Sequence, residues 1–267
     1  MRDNILILIP VKGNSKRLYR KNFKLIAGKQ LWEWSLFAAL GVKFEGVKKQ
    51  ILIVTEDLAL IQYIENNYFK PIGPDHNDPN YVLCDFGIFK RPHYLSEDPY
   101  EIKETCLHVL NNWQPQFDTL IMLQPSNPLV TAMDIEKAYN LYINSNKACV
   151  RSIRRLNKSS FKSFIVSGDN NTLGTVYPFH QLKDIEEKNF PDTYAGNGSI
   201  VICDVEQFLK EKTLLLDGSC GYIVDHPSID IDTQEDFEIA EFLLKERERR
   251  QLNDNLRTCK EEMEGDN

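Results

Sequence analysis

The chain has 267 residues, long enough for one large α/β domain or a domain carrying an inserted lobe. Its formal net charge of -7 argues against general nucleic-acid binding, and no apolar run approaches the length of a membrane span. The six cysteines are scattered, with no CxxC pair and no His at zinc-ligand spacing, so reduced structural thiols are expected. The apolar start is too short for a secretory leader, and a cytoplasmic protein is expected.

The run Ile5–Ile9 reads as a buried strand ending at Pro10. It passes into a loop with Gly13, Asn14 and Ser15, among which Lys12, Lys16, Arg17, Arg20, Lys21 and Lys24 crowd together. Loop N–H groups and ammonium groups suit a polyphosphate, although a basic surface loop would look the same. A Walker A loop is excluded, because no second Gly-Lys-Ser/Thr follows.

Residues 30–40 have helical apolar spacing, 51–57 form another strand, and Asp57 is placed to start a helix. The stretch from Asp75 to Asn80 reads as a loop, and Glu101–Trp113 as a helix. TLIMLQPSNP (119–128) is a strand broken by two prolines, and Thr131 with Asp134 makes a capping-box start for a helix to about Ser145. A strand follows at 148–153. Residues 151–193 are polar and turn-rich, with a hairpin expected around Asp169, Asn170 and Asn171, and read as an inserted lobe. Strands return at 199–204 and 222–225, and a helix is expected over 234–250, which Thr233 can cap with Asp236 at its third position, followed by a charged, fraying tail, 251–267. Trp32, Trp34 and Trp113 read as core, and His76, His93 and His180 lie in loops without a recognisable partner.

Strands separated by helices imply a mostly parallel sheet covered on both faces, with ligands beyond the carboxyl ends of its strands. Four chemically loaded loops share that position: after Pro10, at Thr55–Asp57, at Gln124–Asn127, and near Asn197. In SIDID (228–232), Asp230 and Asp232 alternate with Ile229 and Ile231, so in extended chain both carboxylates point the same way. The pair reads either as solvent-facing residues before a helix or as magnesium ligands. Beside a phosphate-binding loop the metal reading is favoured, because lysines for phosphates and carboxylates for Mg2+ are the equipment of nucleotidyl transfer.

Taken in order, IPVKGNSKRLYRKN, RPHYLSED, LQPSNPL, NGSIVI and SIDIDTQEDFEIAE resemble the acylneuraminate cytidylyltransferase family over roughly residues 4–245. The resemblance implies a Rossmann-like nucleotide-diphospho-sugar transferase fold over residues 1–250, with a small lobe reaching across a homodimer. It implies CTP and a small acidic sugar as substrates, CMP-sugar and pyrophosphate as products, and Mg2+ as cofactor. Neither nucleic acid nor membrane is an expected partner. Residue by residue, it implies a nucleotide site of Lys12, Gly13, Asn14, Ser15, Lys16, Lys21, Asn22 and Arg91. Acceptor contacts would be Gln124, Ser126, Asn127, Asn197 and, from the lobe, Lys162. Asp230 and Asp232 would bind the metal, with Lys21 and Asp230 catalytic. The family usually carries Arg where Lys12, Val130 and Ala195 stand, and Tyr where Val201 stands. These departures imply an acceptor other than N-acetylneuraminate. Another nucleotide or acceptor, or a non-catalytic nucleotide-binding relative, are the competing expectations.

Overall fold

The computed structural model describes residues 4–68, 86–114, 116–167, 172–176 and 185–265. The calls on Asp75–Asn80, His76 and His180, and on the turn at Asp169–Asn171, fall outside them. The elements run β1 (Asn4–Pro10), the two-residue strands β2 (Leu25–Ile26) and β3 (Lys29–Gln30), α1 (Leu31–Gly41), β4 (Lys48–Thr55), α2 (Leu58–Tyr68), β5 (Gly87–Lys90) and α3 (Ile102–Asn112). They continue through β6 (Thr119–Leu123), α4 (Ala132–Ser145), β7 (Cys149–Arg155), β8 (Phe164–Ser167), β9 (Thr172–Thr175), β10 (Tyr194–Asp204), α5 (Val205–Glu211), β11 (Cys220–Ile223) and α6 (Gln234–Gly265).

Seven strands form one sheet in the order β11-β7-β10-β6-β1-β4-β5. Pairing is parallel except where β10 lies antiparallel between β6 and β7. The mostly parallel α/β expectation holds, and the reason is visible in β1. Ile5–Ile9 are all fully buried, as a strand covered on both faces requires. Each such side chain contributes about 1.5–3 kcal/mol of burial free energy. Ile5, Ile7 and Ile9 pack with Trp32 and Leu36 of α1, Leu60 of α2 and Tyr142 of α4. Leu6 and Leu8 face the other way, toward Cys106 and Val109 of α3 and Phe208 of α5. A third cluster joins Trp34 of α1 to Ile231 and to Phe237 and Leu244 of α6.

Both expected caps form. The Thr131 hydroxyl accepts from Asp134 N–H at 3.2 Å while the Asp134 carboxylate takes the Thr131 N–H at 2.8 Å. Thr233 and Asp236 repeat the arrangement at the start of α6. Strand β5 and helix α5, too short to show a period, were not anticipated. Helix α6 was expected to end near 250 and runs to Gly265. Val201, expected on the acceptor side, is 1% exposed and packs in the second core, because its side of β10 faces α3 and α5. The hairpin expected in the lobe is present as antiparallel β8–β9. Cys106, Cys149 and Cys203 are free and buried. Among the described residues no helix is long and apolar enough to cross a membrane.

Candidate active site

The parallel strands deliver β1, β4, β5, β6 and β7 to one edge of the sheet, and antiparallel β10 brings its start there too. The loop after β1 is held from beneath. The Gly13 N–H donates to Glu56 Oε1 at 2.8 Å, and Glu56 is clamped by Arg91, whose Nε donates at 2.9 Å. A third bond from the Arg91 guanidinium reaches the Thr105 hydroxyl at 3.1 Å. The Arg91 and Glu56 side chains are only 4% and 6% exposed. Burial alone would raise the Glu56 pKa. Arg91 and the Gly13 N–H outweigh it and hold the carboxyl below its ordinary value. Arg91 therefore sits under the loop, with its donors spent on Glu56 and Thr105. Gly13 has to be glycine, since a Cβ there would fall 2.5 Å from Asp57 Oδ2.

Asn22 and Ser15 also face inward. The buried Asn22 amide donates to Lys12 O at 2.9 Å, and Ser15 Oγ accepts from Lys21 N–H at 3.1 Å. These bonds curl the loop so that Asn14 and Lys16 lie exposed and Lys12 half-buried on its outer side. Lys16 reaches Asp98 at 2.6 Å across open solvent, and this contact raises the Lys16 pKa. Arg20 lies 3.5 Å from Asp57, which also caps α2 through Leu60 N–H.

The second half of the site is the extended stretch after β11. Ile231 is fully buried, and its N–H donates to Ser126 O at 2.9 Å, tying the stretch to the loop after β6. Asp230 and Asp232 flank it; Asp230 is exposed and Asp232 half-buried. Lys21 Nζ lies 3.1 Å from Asp232 Oδ1 and also donates to Ile231 O, and Arg17 pairs with the other Asp232 oxygen. The cationic loop and the carboxylate stretch, 211 positions apart, are thus one site.

The loop after β6 is fitted closely to β10. Gln124 N–H donates to Ser199 O at 3.3 Å. Gly198 has φ +69°, and a Cβ on it would meet Gln124 Oε1 at 2.5 Å. Asn197 is 7% exposed and fully engaged: its Oδ1 accepts from the Ser152 hydroxyl at 2.5 Å and from Ser199 N–H at 3.2 Å, while its Nδ2 donates to Ser228 Oγ at 2.9 Å. It locks the stretch that carries Asp230 to β7 and β10. Asn127 is 1% exposed, and neither polar atom of its amide has a partner among the described residues. Lys162 lies apart, in the lobe, over the Phe190 ring at 5.6 Å.

His226 and its pairing with Asp134 escaped sequence reasoning. His226 Nε2 lies 2.9 Å from Asp134 Oδ2 and its Nδ1 lies 2.9 Å from Pro227 O, a geometry that suits the doubly protonated ring. The hydrogen bond to Asp134 raises the His226 pKa against a smaller effect of burial. Burial opposes ionisation of Asp134, but the bonds from His226 and Thr131 prevail and bring it to about 2. Asp134, Asp225 and His226 are also close enough to share a cation, yet Asp134 already accepts from Thr131, His226 and the Tyr222 hydroxyl. This knot is structural, and it anchors the approach to Asp230. His93, expected to be unpartnered, stands 3.4 Å from Glu97. The only available signal for these pairs was a polar residue in an otherwise apolar register, as at Asp134.

No protein-family model matches the chain. It is 29% identical to the N-acylneuraminate cytidylyltransferase of Escherichia coli over 94% of its own length and 55% of that protein's. The chain thus spans about half of that relative. It covers 96% of the CMP-N,N'-diacetyllegionaminic acid synthase of Legionella pneumophila, at 26% identity over 90% of its own length. Over most of its length the chain is similar in sequence to acylneuraminate cytidylyltransferases and related synthases. Its fold matches that of a CMP:2-keto-3-deoxy-manno-octonic acid synthetase solved with CTP, with a TM-score of 0.61 and 15% identity, over 92% of this chain and 100% of that one. Likeness to such chains fits the sheet order and the clustering of the loaded loops at one edge.

Proposed function

We propose that this cytidylyltransferase relative is a nucleotidyltransferase that activates a nonulosonic-acid-like sugar with CTP, yielding a CMP-sugar and pyrophosphate for surface-glycan biosynthesis. The observation that carries the reading is the meeting of Lys21 with Asp232, which joins a phosphate-binding loop to a carboxylate pair. The Gly13–Ser15 backbone, with Lys12, Lys16 and Lys21, would hold the triphosphate. Arg91 and Asn22 act through the loop, holding its curve. The acceptor would lie beside Gln124, Ser126 and Asn197, with Lys162 reaching in from a neighbouring subunit and Asn127 supporting the loop from within. The sugar's anomeric hydroxyl would attack the α-phosphorus in line, its proton passing to solvent or a nearby base as pyrophosphate departs. Lys21 and Lys16 would stabilise the charge that builds on the phosphoryl oxygens.

The donor set fits magnesium. Asp230 is exposed and has no hydrogen-bond partner among the described residues, and Asp232 lies on the same extended stretch; a hard cation takes one or two carboxylates together with phosphate oxygens. Bound there, Mg2+ would supply Lewis-acid stabilisation of the transferred phosphoryl group. Such an enzyme would work in the cytoplasm, where CTP is made, as a homodimer. Calorimetric titration with CTP, UTP, GTP and ATP, with and without Mg2+, tests the donor half. Magnesium-dependent binding selective for CTP is expected. Preference for another nucleotide would overturn the CTP reading, and absence of all binding would overturn the enzyme.

A further inference from the structure

We infer that Arg154 is the specificity residue that reads the acceptor's carboxylate; the inference rests on the function proposed above. An acidic acceptor must enter a rim that already carries Asp230 and Asp232. An unpaired carboxylate would be repelled there, so recognition requires a cation. Four cations of the β1 loop are paired, Lys16 with Asp98, Arg17 and Lys21 with Asp232, and Arg20 with Asp57; Lys24 lies over the Phe237 ring, and Lys12 is assigned above to the triphosphate. Arg91 is buried against Glu56. Near the end of β7, Arg155 is paired with Asp192, and Lys162, proposed above to reach a neighbouring subunit's acceptor, lies over the Phe190 ring of its own chain.

Arg154 stands out from these. It is exposed at the carboxyl end of β7, and no hydrogen bond or ion pair holds it among the described residues. Side chains alternate along a strand, so Arg154 shares the face of Ser152. Ser152 donates to Asn197, and Asn197 donates to Ser228, two residues before Asp230. The guanidinium is therefore rooted about 7 Å along the strand from the knot that sets the metal-binding stretch. Its cross-strand partner is Ala195 of β10, a small residue. A guanidinium on a rigid strand offers a carboxylate two parallel N–H bonds, which an ammonium does not.

The test uses the intact protein with CTP, Mg2+ and N,N'-diacetyllegionaminic, pseudaminic, N-acetylneuraminic and 3-deoxy-octulosonic acids, together with the methyl ester of whichever acid is turned over best. Arg154→Gln should raise the KM for the acid roughly ten- to a hundredfold, with the KM for CTP unchanged. The preference for acid over ester should collapse in the variant, and Arg154→Lys should restore part of it. Unchanged acid KM and unchanged ester discrimination would overturn the assignment of Arg154 alone. No turnover of any acid by the unaltered protein would overturn the reading beneath it.

Discussion

At the residue scale the site is organised by charge spent in pairs. Lys21 is the clearest case: its ammonium bonds to Asp232 and to the backbone of Ile231, so it is already held where a triphosphate would arrive. Its removal takes away a phosphate contact and leaves Asp232 with Arg17 alone. Lys21→Ala should weaken CTP binding roughly tenfold to a hundredfold, the worth of a charge-assisted bond. Calorimetry reads this directly, and an unaltered affinity would move the triphosphate elsewhere. Arg91 shows the opposite situation. The resemblance implied a nucleotide contact, whereas burial and three hydrogen-bonding donors directed at Glu56 and Thr105 make it a support for the loop.

At the element scale, the extended stretch between β11 and α6 is tied in its middle by Ser228 and Ile231 and held by pins at its two ends. One is the Asp236 carboxylate, which accepts from Asp232 and Thr233 N–H groups at 3.1 and 2.8 Å. The other is the His226–Asp134 pair. His226 has a folded pKa raised above its ordinary 6.5, so its contribution is fully present below about that value and is lost as pH rises through the raised one. Asp134 is shifted the other way, so its contribution is present above 3.8 and is lost as pH falls toward about 2. Between these limits the pin is intact. His226→Gln should cost about 1 kcal/mol near pH 5.5, allowing for the solvent that reaches the imidazole, and progressively less above neutrality. Urea unfolding across pH 5.5 to about 9 measures the difference, and a gap constant with pH would remove the ion pair from the account.

At the scale of the whole molecule, the lobe between β7 and β10 carries apolar side chains that are exposed among the described residues. Phe164, Ile165 and Val176 are 57%, 56% and 52% exposed. A second copy of the chain is the occupant proposed here, since the lobe also presents Lys162. Sedimentation should find a dimer, and Ile165→Lys should shift it to monomer while leaving CTP binding intact. A monomeric unaltered protein would remove the partner subunit from the site.

Most of the frame was legible along the chain. The all-buried β1 announced a covered parallel strand, helical spacing marked α1 to α4, and the Thr-x-x-Asp boxes marked two helix starts, because each of these signals is local. The loaded loops were legible as a group, since parallel strands must deliver their carboxyl ends to one edge. What only the tertiary structure decided were the partners. Whether Arg91 meets a ligand or Glu56, whether Val201 faces cleft or core, and that His226 would find Asp134 92 positions away all depend on how the strands order and twist. The same holds for Arg154, one of three nearby arginines with Arg151 and Arg155. The antiparallel insertion of β10, with its bulge between Gly196 and Val201, sets it opposite Ala195 and beside the Asn197 knot. Local propensity fixes which residues form an element, whereas pairing across long separations is chosen by burial and charge only once the elements have met.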